Sequence, residues 1–303
     1  MPHSPELYGI FGYPIGHSLS PLMQNTAFAY HGIDAVYLPF AVHPEHLETA
    51  VKALRALAIR GVNVTIPHKQ TVMPWLDELA PEARLIGAVN TIHFKEGRLI
   101  GYNTDGIGFV RSLEEGGAQV TGQRVLLLGA GGAARAIAVQ LCLSGVQQLY
   151  VANRTRARAE ELATSLKQSI RHTHIRVIAM EEHALTACLP ELDIVVNATS
   201  VGMRPHDPEL LPATCLLPRH LVCDIVYHAQ ETPLLRAAKQ QGARAVDGLG
   251  MLIHQGAEAF EIWTGRSFPI SLIRAKLLEA LAKRTTPGSP PERAGTRSCR
   301  RCG

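Results

Sequence analysis

Residues 125–145 read VLLLGAGGAARAIAVQLCLSG. This stretch decides the fold, because it passes from an apolar run of strand length through a glycine turn into a helix-forming segment. Gly129-Ala130-Gly131-Gly132-Ala133-Ala134 is the GxGxxA form of a dinucleotide-binding turn, and it stands where such a turn must stand, after a strand and before a helix. Gly129 permits the tight turn, Gly131 removes a side chain that would block a pyrophosphate, and Ala134 lets the helix pack closely. The unpaired amides at the helix start then face the phosphates. Gly129, Ala130, Gly131, Gly132 and Ala133 are therefore candidate cofactor-binding residues.

A glycine-rich turn can also be only a turn, and the next strand discriminates. In an NAD-binding unit that strand ends in an acid about 20 residues on, which holds the ribose hydroxyl. Here it ends YVANRTRAR, with Asn153, Arg154 and Thr155 at its tip and Arg158 close by. An acid would repel a 2′-phosphate, whereas guanidinium groups grip phosphate through paired, charge-assisted hydrogen bonds. The cofactor expected is NADP. The bland alternative is that these arginines only solvate a helix start.

Further strands follow at QLYVANR, IRVIAM, DIVVNAT and HLVCDIV, with helical segments between most of them, the alternation of a Rossmann-like domain. Upstream, LYGIFGYP, AVYLPF and GVNVTI alternate with helical stretches from Glu6 to about Phe94, the pattern of another parallel α/β sheet. One of those stretches is explicit: after His43-Pro44-Glu45, the residues Leu47, Val51, Leu54 and Ala58 recur on one helical face. Beyond Val246 the segments MLIHQGAEAFEIWTG and ISLIRAKLLEALAKR are helical, and they are expected to return to the first sheet. The fold class expected is α/β with two domains. A parallel-sheet substrate-binding catalytic domain spans residues 1–106 and is completed by 247–283; a Rossmann-like NADP-binding domain spans 107–246; a disordered basic tail spans 284–303.

Composition agrees and excludes several partners. A chain of 303 residues accommodates two domains of roughly 100 to 150 residues. Its 46% hydrophobic residues can bury sizeable cores, and a mean hydropathy of +0.05 is not membrane-like. The net charge of +4 resides in the tail, where from Arg284 onward five arginines face one acid, Glu292. A formally neutral body gives no electrostatic case for nucleic acid or an anionic membrane. Residues 1–8 lack a basic segment followed by an apolar one, and the apolar runs elsewhere are shorter than a membrane span. Six cysteines without disulfide-framework spacing fit reduced thiols, and a cytoplasmic location is expected. Cys299-Arg300-Arg301-Cys302 has metal or redox spacing but lacks the further ligands or helix start that either chemistry needs.

Four segments are richer in polar groups than their surroundings explain: GYPIGHSLSP (12–21), NVTIPHK (63–69), GAVNT with GYNTDG (87–91 and 101–106), and GMLIHQGA (250–257). Hydroxyls, amides, one lysine and one aspartate at strand ends and helix starts suit a small polyol ligand. With GAGGAARA, NRT, NATSVGM and DIVYHAQETPLL, these segments resemble the shikimate dehydrogenase family in order and spacing over residues 6–280.

The resemblance implies NADPH-dependent reduction of 3-dehydroshikimate to shikimate. It implies that Ser18 and Ser20, with Tyr227 of the D-x-V-Y motif, hold the substrate carboxylate. Asn90 and Gln255 match ring-hydroxyl ligands, Thr65 lines the pocket, and Lys69 and Asp105 match the catalytic pair. Ile225 and Gly248 join the cofactor residues on the same ground. The chemistry is sound: hydride delivery to a ketone leaves negative charge on oxygen, which an ammonium stabilises and protonates while a carboxylate orients it. Each residue also has a plain reading. Ser18 and Ser20 could cap the helix beginning at Pro21, Asp105 could cap GIGFVRSL, and Lys69 could be a surface lysine.

His17, His68, His172 and His174 lack ligand spacing, so no metal is expected. Two departures from the family pattern stand out. Gln24-Asn25 replaces a frequent His-Asn pair, which still leaves an amide to hydrogen-bond; His228-Ala229 replaces Asn-Pro, which weakens the role carried over to Tyr227. Rival functions are a quinate or dual quinate/shikimate dehydrogenase, against which Ser20 argues, and a noncatalytic NADP-sensing protein, which has no need of Lys69 with Asp105. Family members are often homodimers and some are monomers, so a homodimer is left open.

Overall fold

The computed structural model describes residues 4–204, 206–227 and 231–285. The CxxC pair, residues 286–303 of the expected tail, and the His228-Ala229 departure lie outside these.

The chain first lays down β1 (Glu6–Gly12), α1 (Ser20–Tyr30), β2 (Ala35–Ala41), α2 (Leu47–Ala56), β3 (Gly61–Val64), β4 (Glu78–Leu79), α3 (Pro81–Ile86), β5 (Thr91–Lys95) and β6 (Arg98–Tyr102). These strands form one six-stranded sheet of order β2-β1-β3-β5-β6-β4. Helix α4 (Asp105–Glu115) leads to the second unit: β7 (Arg124–Leu128), α5 (Gly132–Leu143), β8 (Gln148–Ala152), α6 (Arg156–Ser169), β9 (His174–Ile178), α7 (Glu182–Cys188), β10 (Ile194–Asn197), β11 (Leu221–Asp224), α8 (Pro233–Gln240) and β12 (Arg244–Val246). Its sheet has the order β12-β11-β10-β7-β8-β9 and is parallel throughout. Two helices close the chain, α9 (Gly248–Thr264) and α10 (Ile270–Thr285).

Strand β7 is buried on both faces because it is central. Val125 and Leu127 pack with α5 and α6, while Leu126 and Leu128 pack with α7 and α8. Period-two alternation thus feeds two helical layers, which is why the run reads as continuously apolar.

The first sheet is parallel over β2-β1-β3 and then adds a hairpin that the sequence reading did not include. β5 and β6 are joined by Glu96-Gly97, both at positive φ (51° and 79°), the two-residue turn whose twist matches paired antiparallel strands. Helix α2 also ends earlier than its periodicity predicts. Ala58 takes φ 49° beyond the helix, and Ile59 is buried in its stead.

Helices α9 and α10 share a core cluster with α1 and β1, and Trp263 Nε1 donates to the Ile92 carbonyl at 3.0 Å. The 106/107 boundary falls inside α4, and α10 runs two residues into the segment read as tail. Helix α4 comes close to both neighbours: a Cβ at Gly106 would lie 2.5 Å from the Ala136 carbonyl oxygen of α5, and one at Gly108 would lie 2.6 Å from the Gln255 amide nitrogen of α9. Glycine at these two positions lets one helix touch both units.

Candidate active site

Asp105 opens α4 and is buried, yet it caps nothing: the N-cap is Thr104, without a side-chain cap bond. Its Oδ2 accepts from Lys69 Nζ at 2.5 Å, and its Oδ1 from Asn90 Nδ2 at 2.9 Å. Lys69 lies in the turn after β3, with its side chain only 19% exposed. Its carbonyl accepts the Val89 amide at 2.7 Å, which draws this turn against Asn90. The cap and the surface lysine are therefore not what these two residues do here.

Asn90 is held in one orientation. Its Oδ1 accepts the backbone N–H of Thr104 at 2.8 Å, a group that can only donate. Nδ2 must then face Asp105, and it lies 3.5 Å from Gln255 Oε1. Gln255, on α9, donates to the Leu252 carbonyl at 2.8 Å. The sequence reading missed the buried residues that build this arrangement. Asn103 accepts the Asp105 amide at 3.1 Å and donates to the Ala88 carbonyl at 3.0 Å, while Thr91 and Thr104 flank Asn90. Asn103 and Thr104 were in view as part of GYNTDG, but nothing local separates a buried amide from a solvated one.

Direct hydrogen bonds thus join Lys69, Asp105, Asn90 and Gln255. Ser18 and Ser20 follow β1 and Thr65 follows β3, parallel neighbours whose carboxyl ends point the same way, and Tyr13 N–H ties the two following loops together through the Ile66 carbonyl at 3.1 Å. Ser18 Oγ accepts the Ser20 amide at 3.2 Å, so it does help to start α1, whereas Ser20 is buried. Tyr227 is half-buried and packs on the cluster of Ile15, Leu19 and Leu249. Gln24 is buried and donates to the Gly256 carbonyl at 2.9 Å, and Asn25 exchanges two bonds with the Tyr37 backbone at 2.8 and 2.9 Å. His68 is buried against the Val42 carbonyl at 2.7 Å; His172 is exposed but reaches the Cys142 carbonyl at 2.7 Å, and His17 and His174 are exposed. Among the described residues no group of three or more His, Cys, Asp or Glu could hold a metal ion, and no helix is long and apolar enough to cross a membrane. The four described cysteines are free, and burial pushes the Cys142 thiol up to about 11.

On the second sheet the glycine turn fits a dinucleotide. Gly129 has φ 116°, and a Cβ there would lie 2.8 Å from the Ala198 carbonyl oxygen, so only glycine makes this turn. Helix α5 starts without a side-chain cap, and a Cβ at Gly131 or Gly132 would meet no heavy atom within 4 Å. Backbone with that much open space before it, at a helix N-terminus, suits a pyrophosphate. Ala130 is buried, and Ala133 lies in the first turn of α5. At the tip of β8, Asn153 Nδ2 donates to the Thr155 carbonyl at 2.8 Å, and Arg154, Thr155 and Arg158 are exposed. Arg156 pairs with Glu160, but among the described residues neither Arg154 nor Arg158 has a carboxylate partner. Two free guanidinium groups fit the 2′-phosphate of NADP. Gly248 packs on the Ile225 backbone, where a Cβ would lie 2.1 Å from the carbonyl oxygen.

Three family models cover most of the chain: the shikimate dehydrogenase substrate binding domain at residues 10–92, shikimate / quinate 5-dehydrogenase at 112–204, and the shikimate 5'-dehydrogenase C-terminal domain at 248–278. A protein of Desulforamulus reducens named shikimate dehydrogenase (NADP(+)) is 47% identical over 92% of this chain and 96% of its own. One of the same name from Symbiobacterium thermophilum is 50% identical over 91% and 95%. The crystal structure of shikimate 5-dehydrogenase from Listeria monocytogenes, in complex with shikimate and NAD, is 42% identical and superposes with a TM-score of 0.86 over 90% of this chain and 96% of that one. With such identity along nearly its whole length, the chain belongs to the shikimate dehydrogenase family.

Proposed function

We propose that this protein is an NADP-dependent shikimate dehydrogenase, which reversibly reduces 3-dehydroshikimate to shikimate for chorismate and aromatic amino acid biosynthesis. The observation that carries this reading is the part-buried pair Lys69–Asp105, 2.5 Å apart and braced by Asn90. NADPH supplies the hydride. Lys69 Nζ stabilises the charge that develops on the ketone oxygen and delivers the proton to it, and Asp105 holds the ammonium in place and accepts from the neighbouring ring hydroxyl. Asn90 and Gln255 hold ring hydroxyls, while Ser18, Ser20 and Tyr227 offer hydroxyl donors to the carboxylate and Thr65 lines the pocket. Gly129, Ala130, Gly131, Gly132 and Ala133 receive the pyrophosphate, Asn153, Arg154, Thr155 and Arg158 the 2′-phosphate end, and Ile225 with Gly248 borders the same ligand.

The reading assigns residues 1–106 and 247–283 to substrate and 107–246 to cofactor, in a cytoplasmic enzyme. It favours shikimate over quinate because Ser20 stands in the serine motif, and an enzyme over a sensor because a sensor has no use for a part-buried ammonium–carboxylate pair. The test follows reduced-cofactor absorbance with shikimate and quinate, each with NADP and NAD. Shikimate with NADP is expected to exceed every other combination by at least about tenfold in kcat/KM. Comparable values with quinate or NAD would overturn the assignment, and no turnover at all would favour the sensor.

A further inference from the structure

The first sheet encloses a run of polar side chains that the proposed reaction does not use. Tyr37, on β2, is fully buried, and its phenol donates to Asn63 Oδ1 at 2.7 Å. Asn63, on β3, donates from Nδ2 to Thr91 Oγ1 at 3.0 Å and to the Asn90 carbonyl at 3.2 Å. Thr91, opening β5, donates to Asn90 Oδ1 at 3.0 Å, and Asn90 donates to Asp105 Oδ1 at 2.9 Å. Burial holds the Tyr37 phenol well above its ordinary pKa, so it stays protonated and must donate.

Every link of this run donates in one direction, toward the carboxylate. Hydrogen bonds aligned head to tail polarise one another where the dielectric is low. The alignment also leaves each amide a single orientation: if Asn63 turned over, its NH2 would face the Tyr37 hydroxyl and its oxygen the Asn90 carbonyl, setting acceptor against acceptor. Four separate elements, β2, β3, β5 and the start of α4, are thereby joined through side chains alone.

We propose that Tyr37, Asn63 and Thr91 are positioning residues, a one-way hydrogen-bonded chain that sets the orientation of Asn90 and through it the placement of the Asp105 carboxylate against Lys69. The chain runs from the buried Tyr37 phenol to the proton-transferring end. It rests on the reading of Lys69 and Asp105 as the reacting pair, and it adds three buried residues outside those assigned to substrate or cofactor.

The test is a double-mutant cycle on shikimate oxidation at saturating NADP. Tyr37→Phe keeps the ring and removes one link; Thr91→Val keeps the shape and removes another. Each is expected to lower kcat/KM for shikimate by about tenfold or more, because small misplacements of reacting groups are costly, with the NADP dissociation constant unchanged by fluorescence titration. Since both break one chain, the double variant is expected to stay within about twofold of the more impaired single. Thr91→Ser, which keeps the hydroxyl, is expected to retain wild-type activity. Urea unfolding reports whether each variant is folded, and Asn63→Ala takes the place of Thr91→Val if that protein does not fold. Single variants matching an active wild type, or a double variant whose loss is the product of the two, would overturn the proposal. An inactive wild type would instead refute the proposed function, and the inference with it.

Discussion

At its ligand end the first sheet buries side chains, with Asn63, Asn90, Thr91, Asn103, Thr104 and Asp105 all nearly inaccessible, whereas the second sheet presents backbone at the corresponding place, through Gly129, Gly131, Gly132 and the start of α5. Buried polar side chains must satisfy one another, so each fixes its neighbours and none can be changed alone. Backbone amides ask only that glycine keep the approach open. A polyol with several distinguishable hydroxyls is suited by the first arrangement and a repeating phosphate by the second. On the proposed function, the two ends are expected to respond differently to mutation.

The sharpest separation of the two comes from Lys69→Ala. It is expected to reduce turnover by about a thousandfold or more, within the range of general acid catalysis, while NADP affinity measured by fluorescence stays the same. Unchanged turnover would end the comparison, since the pair would then be structural. Next in size is Trp263→Ala on α9, which removes a large side chain from the first sheet's core and its bond to the Ile92 carbonyl. Urea unfolding is expected to show a loss of about 3–5 kcal/mol.

On the second sheet the effects are smaller. Arg154→Ala is expected to weaken NADP by about tenfold, the scale of one hydrogen bond to a charged group, with NAD and shikimate binding unaltered. Equal weakening of NAD would show that the arginine does not distinguish the 2′-phosphate. Smallest is Asp193→Asn at the entry to β10. Hydrogen bonds from the Arg124 guanidinium and amide hold the Asp193 carboxyl below its ordinary pKa. Its contribution is therefore complete above about pH 4 and lost as pH falls through the lowered value. Asp193→Asn is expected to cost less than about 1 kcal/mol at neutral pH, as for other partly exposed pairs, and to flatten the acid limb of a pH-stability curve.

Legibility followed the same division. The strands β7, β8, β9, β10 and β11 were readable as apolar runs, and the glycine turn as a strand-to-helix turn, because everything that marks them lies within a few residues. Strand β12, Arg244–Val246, is too short to announce itself, and the β5–β6 hairpin depends on the positive φ of Glu96-Gly97. In the site, Lys69, Asp105, Asn90 and Gln255 were named only through resemblance to a family. Tyr37 carried no signal, and Asn63 and Thr91 stood in polar segments without being singled out, since a tyrosine or asparagine in a strand looks the same whether it meets solvent or another amide.

Sequence alone determined that there are two α/β sheets, that glycines turn a strand into a helix in the second, and that arginines rather than an acid stand at the next strand end. Those are consequences of period, turn geometry and charge, which act over short stretches of chain. Only the tertiary structure decided that Lys69 meets Asp105, 36 positions away, that Asn90 approaches Gln255, 165 positions away, and that Tyr37 reaches Asn63. Burial makes each of those partners obligatory, and burial is a property of the folded packing.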